Sequence, residues 1–370
     1  MDISKSIDFL LENSGDVIKY RLHKEILKDI SAAEEEALLE KVMQVPNYKL
    51  LESYVKPNGY IGIGMHSWDK FKENALQDGE AAARLLANYA IPKEKPIVKN
   101  FVKALRSDTI LEEEFSYYNP EKARFQNRFL GLRNGGGLMV LINTCQALLG
   151  YGDDTEVKPF IETSYKAFES VLQLKSLKDI TIFRPELKRK NNSPYIEEDT
   201  YFPCQYHLET LAHTNSWRSA EKLDTIVKAI NYHDKIMKDD NVMQIKIGSR
   251  YYAPLGAYTA PFQAFEDRKT GTALAQRKTL TNLAKIGGSR IDAVRKSAEI
   301  VQEALARDSY LQIDFENSYK KQRYKAGLKY PGPYSEVALE PHYKKDTAIW
   351  CELTFWAVQF LDIIDSSITD

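Results

Sequence analysis

The sequence predicts an all-α protein, a single (α/α)6-type toroid of about six helix pairs spanning residues 1–370. Three observations predict it. Apolar residues recur at spacings of three and four from end to end, the period of a helix packed on one side. The segments so marked come in consecutive pairs. An amphipathic helix cannot bury its stripe alone, so the pairs must stack as an open row or a closed ring. Stretches rich in Gly, Pro, Asn and Tyr at 56–76, 181–203 and 308–345 interrupt the helices. Loops of that length gather at a rim and cover a cavity. No strict repeat period is visible, which weakens the open row more than the ring. A length of 370 residues suggests two domains by default, and a ring of helix pairs is the one-domain alternative.

The elements follow in order. Ile7, Leu10 and Leu11 mark a first helix, Gly15 breaks it, and Val17, Ile18, Leu22 and Ile26 continue on a second. Further helices are expected at 34–44, 47–55, 78–90, 95–106, 137–150, 155–173, 204–214, 219–237, 272–286, 291–307 and 346–364. Asp78 and Ser219 suit N-caps, and "GYGDDTE" (150–156) suits a loop capping a helix near Glu156. Strand signals are scarce; "NVMQIKIGSRYYA" (241–253) predicts a small hairpin.

Composition excludes several classes. The formal charge of −1 gives no electrostatic basis for nucleic-acid binding, and basic runs such as "ELKRKNN" (186–192) are short. No run of about 18 apolar residues occurs, so no transmembrane segment is expected. Three distant cysteines, Cys145, Cys204 and Cys351, fit a reduced, cytoplasmic chain. The oligomeric state is open.

Several segments carry a family resemblance. "LLENSGDVIKYRLHKEIL" (10–27), "VKPNGYIGIGMH" (55–66), "YHLETLAHTNSWRS" (206–219) and "KKDTAIWCELTFWAVQFL" (344–361) resemble stretches of the prenyltransferase and squalene-cyclase-like (terpenoid cyclase) superfamily. The second is similar to its Gly-rich turn after an apolar helix, with Tyr60 as the aromatic. The resemblance implies an α/α toroid and an apolar, isoprenoid-like ligand in an aromatic-lined cavity. "IEEDT" (196–200) can be laid on the superfamily's acid motif, making Glu198 the proton donor with Asp199 beside it. Ile196 stands where the motif has its first Asp. The residues alone also fit a surface turn ahead of Pro203 and the helix after it.

Other candidates complete the site. Tyr60, Trp68 and Tyr252 are loop aromatics able to line a pocket or stack on a sugar or cation. His207 and Trp217 are pocket candidates, with His207 on the apolar side of a helix whose polar side carries Tyr206, Glu209, Thr210 and His213. Arg133 and Asn134 in "LRNGGG" precede a helix start suited to an anion. Trp350 is expected to border the same cavity. Protein prenyltransferases hold zinc by Asp, Cys and His. Here Asp346 and Cys351, with His342 just upstream, lie five apart and depart from that spacing. Cys204 and His207 share a helical face that could hold a metal, but His213 points to the opposite side and cysteine is commonly a core residue, so no metal and no cofactor are expected. Three functions stay open: an enzyme on an apolar ligand, a non-catalytic ligand- or protein-binding scaffold, or a carbohydrate-active toroid using residues such as Asn134, His207 and Tyr252.

Overall fold

The computed structural model describes residues 3–66, 77–116, 118–120, 136–186, 193–237, 243–254, 256–314, 338–341 and 345–366. The described chain is mostly helical, with small sheets. It divides into two compact units, Met1–Arg106 with Gln263–Asp370, and Ser107–Phe262.

The first unit opens with α1 (Ser4–Asn13), then α2 (Asp16–Arg21) running into a π-turn at Leu22–Leu27. Helix α3 (Ala32–Val42) starts at a capping box. Ser31 accepts from the Glu34 N–H while the Glu34 carboxylate accepts from the Ser31 N–H. Proline begins both α4 (Pro46–Glu52) and α6 (Pro96–Leu105), where a missing N–H costs nothing. Between them, α5 (Gly79–Asn88) is capped by Asp78, which accepts from Ala81 N–H.

The chain returns to this unit after residue 262 with strand β1 (Arg268–Lys269), α12 (Thr270–Gly287), α13 (Asp292–Asp308) and strand β2 (Ile313–Asp314), the two short strands pairing in parallel. The last helix is α14 (Asp346–Ser366). It packs on α1, α2, α12 and α13, so the first and last helices touch. By length and composition α14 could cross a membrane. However, 67% of its apolar stretch is buried within the protein, against the helices named above. Leu353, Phe355, Val358 and Phe360 fill that core, and Trp356 stacks on Phe360 while donating its indole N–H to Thr281.

The second unit contains α7 (Asp108–Glu114), α8 (Gly136–Gln146), α9 (Lys158–Glu169), α10 (Gln205–Ala212) and α11 (Ala220–Ile236). Helix α7 escaped the sequence pattern because "DTILEEE" presents only two apolar residues. Helix α10 packs on both α8 and α9. Its expected polar side therefore does not face water, since Tyr206, Glu209 and Thr210 are as buried as Leu208 and Leu211. Thr144 of α8 meets the Thr210 hydroxyl at 3.3 Å, so polar pairing takes the place of solvation. The expected hairpin is present as β4 (Gln244–Ile247) and β5 (Arg250–Tyr252). A third strand, β3 (Tyr195–Glu197), pairs in parallel with β4, placing Ile196 opposite Ile245. Asp153 does not cap the helix that follows it; α9 begins after Val157 without a side-chain cap. Asp153 instead accepts the N–H groups of Asn215 and Ser216.

The buried Thr354 hydroxyl of α14 accepts the Leu311 N–H at 2.9 Å. Thr354→Val keeps the shape and orphans that donor, so thermal or urea denaturation should show a loss of about 1–3 kcal/mol.

Candidate functional site

The strongest chemical arrangement grows from the Gly-rich bend after α4. Gly59, Gly62 and Gly64 all have positive φ. Gly62 has the clearest reason, since a Cβ there would lie 2.4 Å from the Gln77 carbonyl oxygen. That closeness lets the bend run beside the start of α5. Gly79 N–H donates to Gly64 O at 3.0 Å and Glu80 N–H to Met65 O at 3.1 Å. Tyr60, fully buried, pins the bend by donating its hydroxyl to Gly64 O at 2.8 Å.

His66 ends the bend and is set beside Glu80. Its Nδ1 lies 2.5 Å from Glu80 Oε2. The other carboxylate oxygen accepts both Nε (2.9 Å) and Nη2 (2.8 Å) of Arg84, one turn along α5. Glu80 and Arg84 are 1% and 4% exposed, while the His66 side chain keeps 25% of its surface, so a buried ion pair supports an imidazole at the surface. Burial opposes protonation of His66, but the Glu80 hydrogen bond and charge outweigh it and hold its pKa above that of an ordinary histidine. A carboxylate on Nδ1 fixes the tautomer and raises the basicity of Nε2, as acid–base catalysis and metal ligation both require. In the sequence a Glu and an Arg four apart look like a solvated helix pair, which is why this site was missed. The Gly-rich turn leading into His66 was its one readable signal.

The residues singled out from sequence fall elsewhere. Glu198 is half-buried and Asp199 exposed in the turn after β3, and it is Glu197 that pairs with Lys246, at 3.0 Å. His207 is buried on α10 beside Phe160. Neither ring nitrogen has a hydrogen-bond partner. Burial pushes its pKa down to about 3, against a weak opposing pull from the Phe202 backbone. Trp217 is buried and donates its indole N–H to Leu211 O. Tyr252 is half-buried in β5. Trp350, half-buried on α14, lies against Tyr310 with ring centroids 5.4 Å apart. Trp68, Arg133, Asn134 and His342 lie outside the described residues. Tyr60 and Trp350 belong to the first unit, and Glu198, Asp199, His207, Trp217 and Tyr252 to the second.

Cys145, Cys204 and Cys351 are all buried and unbridged, behaving as small core residues. Burial pushes the Cys351 thiol up to about 12, and Asp346 is exposed. Among the described residues no group of three or more His, Cys, Asp or Glu is placed to hold a metal. No protein-family model, curated protein or solved structure matches this chain.

Two pH effects follow. Glu80→Gln removes the charge that favours the imidazolium, so NMR titration should place the His66 pKa lower in the variant. The stabilisation from this pair is present below the ordinary histidine value of 6.5 and is lost as pH rises through the elevated folded value. His207 behaves oppositely. Its folded pKa is depressed, so stability is complete above 6.5 and falls as pH drops toward about 3. At about 1.4 kcal/mol per pH unit the loss reaches several kcal/mol. His207→Leu should flatten that acid limb in denaturation curves recorded between these pH values.

Proposed function

We propose that the protein is an enzyme whose reaction turns on proton transfer to and from His66. One observation carries this: the imidazole is oriented by a buried carboxylate, itself clamped by a buried arginine. A structural histidine needs no such support, whereas a general base must be held in one tautomer and one direction. An apolar part of the ligand would lie on the same bend, where Ile63 is 57% exposed between Gly62 and Gly64, with Val55 38% exposed. An apolar ligand is also what the resemblance to the terpenoid-cyclase superfamily implies. The contact between the first and last helices supports the α/α toroid as the architecture. Acid-initiated cyclisation is the less favoured chemistry, because it needs a protonated, desolvated acid, whereas Glu198, the candidate donor, is only half-buried and Asp199 beside it is exposed.

The scaffold reading is favoured by a different observation. Aromatics of the irregular segments, the candidate Tyr60 among them, pack on protein instead of lining a pocket. Tyr60 is fully buried against Phe101, and Tyr195 packs edge-on to Tyr251.

The test is a hydrolysis screen of the purified protein against apolar ester, lactone and amide substrates. His66→Gln should reduce any turnover by about 10²–10⁴-fold while leaving the thermal unfolding curve in place. Turnover equal in wild type and variant would remove His66 from the chemistry, and no turnover on any substrate would favour the scaffold.

A further inference from the structure

Phe183 is 56% exposed, and the stretch that carries it is restrained. One residue earlier, Ile182 and Tyr195 of β3 exchange both backbone hydrogen bonds, at 2.7 and 2.9 Å. Two residues later, Pro185 fixes its own φ and biases Arg184 toward extended backbone. Arg184, Pro185 and Glu186 are exposed as well. Arg184 Nη1 and Glu186 Oε1 stand 4.0 Å apart, a loose surface pair that either side chain can leave at little cost. The segment therefore presents an aromatic ring followed by a cation and an anion, on a backbone with little freedom to lose on binding.

The first unit carries a cleft of about 260 Å³. Gly15 N–H donates to Glu340 Oε1 at 2.8 Å, which holds the segment around residue 340 against the start of α2 and so keeps the cleft formed. Its apolar lining includes Val17 and Leu339, both buried, half-buried Val45 and exposed Pro341. Asp16 of α2 and Lys41 of α3 line it too, and both are exposed. Among the described residues neither takes part in an ion pair. A cavity of about 150 Å³ is enough to hold a benzene ring, so a phenylalanine side chain fits.

We propose that this cleft receives Phe183 from a second copy of this chain, with the incoming Arg184 meeting Asp16 and the incoming Glu186 meeting Lys41. Charge selects this occupant. The cleft offers one anion and one cation beside an apolar lining, and the segment after Phe183 offers the two counter-charges. The other large apolar residues exposed among the described ones do not match. Ile63 lies between Gly62 and Gly64, and Val55 has only Lys56 as a charged neighbour. One aromatic anchor with two exposed ion pairs buries less surface than a stable interface needs, so the association is weak and grows with concentration. It joins a loop to a cleft, so each pair keeps one loop and one cleft free to add further copies.

This inference does not rest on the role given to His66, and neither test reads the other. The experiment is static light scattering of the full chain from about 5 µM to about 500 µM, the range of a weak contact. Thermal unfolding of each variant checks that it is folded. The wild-type mass should start at the monomer and rise with concentration, less steeply in about 1 M salt, which screens the two ion pairs. Phe183→Ser, an exposed change, and Val45→Trp, which fills the cleft, should each remain monomeric. Mixed in equal amounts, these two variants supply one intact loop and one intact cleft, so they should form a pair and grow no further. Asp16→Arg and Arg184→Asp should each weaken association about fivefold, and the double variant should recover it. The proposal is overturned if the wild type is monomeric at every concentration, which assigns the cleft to some other partner. It is equally overturned if Phe183→Ser associates as wild type does, or if the mixed variants stay apart.

Discussion

A carboxylate in the middle of an apolar helix holds much of the first unit in register. Glu352 is 1% exposed on α14, and its Oε1 accepts the N–H groups of Leu339 and Glu340 at 2.6 and 2.8 Å. Its Oε2 faces Arg277 of α12 at 3.2 Å. A charge so deep is tolerated only when its oxygens are satisfied, because desolvation otherwise outweighs any single attraction. Satisfying it fixes three things together: the packing of α12 on α14, the path of residues 338–340, and the position of Glu340 against Gly15. Tyr89 repeats the pattern, donating to Ala338 O while accepting from Asn47. The segment at 338–340 has no secondary structure of its own, and these buried polar contacts replace a ladder.

The same logic, with backbone instead of carboxylate, builds the bend at 59–66. There the scarce resource is space. Left-handed glycines let one chain lie almost in contact with another, and the hydrogen bonds to α5 then aim His66 at Glu80. Buried support beneath a half-buried imidazole is an arrangement that packing alone has no reason to produce. It contrasts with His207, which is wholly enclosed, unpartnered and neutral. One histidine is held by a buried ion pair and the other is enclosed in the core.

The tyrosine and tryptophan excess shows how composition misleads about cavities. An aromatic in an irregular segment can line a pocket or close one, and both uses need the same residue types. Tyr60, Tyr195 and Trp217 are closed into the protein by ring contacts or a hydroxyl or indole hydrogen bond. The acids of "IEEDT" illustrate a related ambiguity. Ile196 breaks the acid motif because it is a strand residue whose side chain is buried opposite Ile245, so the motif's spacing belongs to a small sheet.

By itself the sequence determined the described helices other than α7, most of their ends to within a few residues, and caps such as Asp78 and Ser219. These depend on periodicity and on side chains within one turn of each other, and both are local. The hairpin at 244–252 was legible for the same reason. Tertiary structure alone decided which carboxylates are buried, which histidine is supported and which aromatics are enclosed. Glu80 and Glu352 carry no mark in the sequence that separates them from the surface acids elsewhere in the chain. What separates them is desolvation and the arginine and backbone donors brought to them, and those depend on segments far along the chain. Glu340 is the extreme case, since its partner Gly15 is 325 residues away.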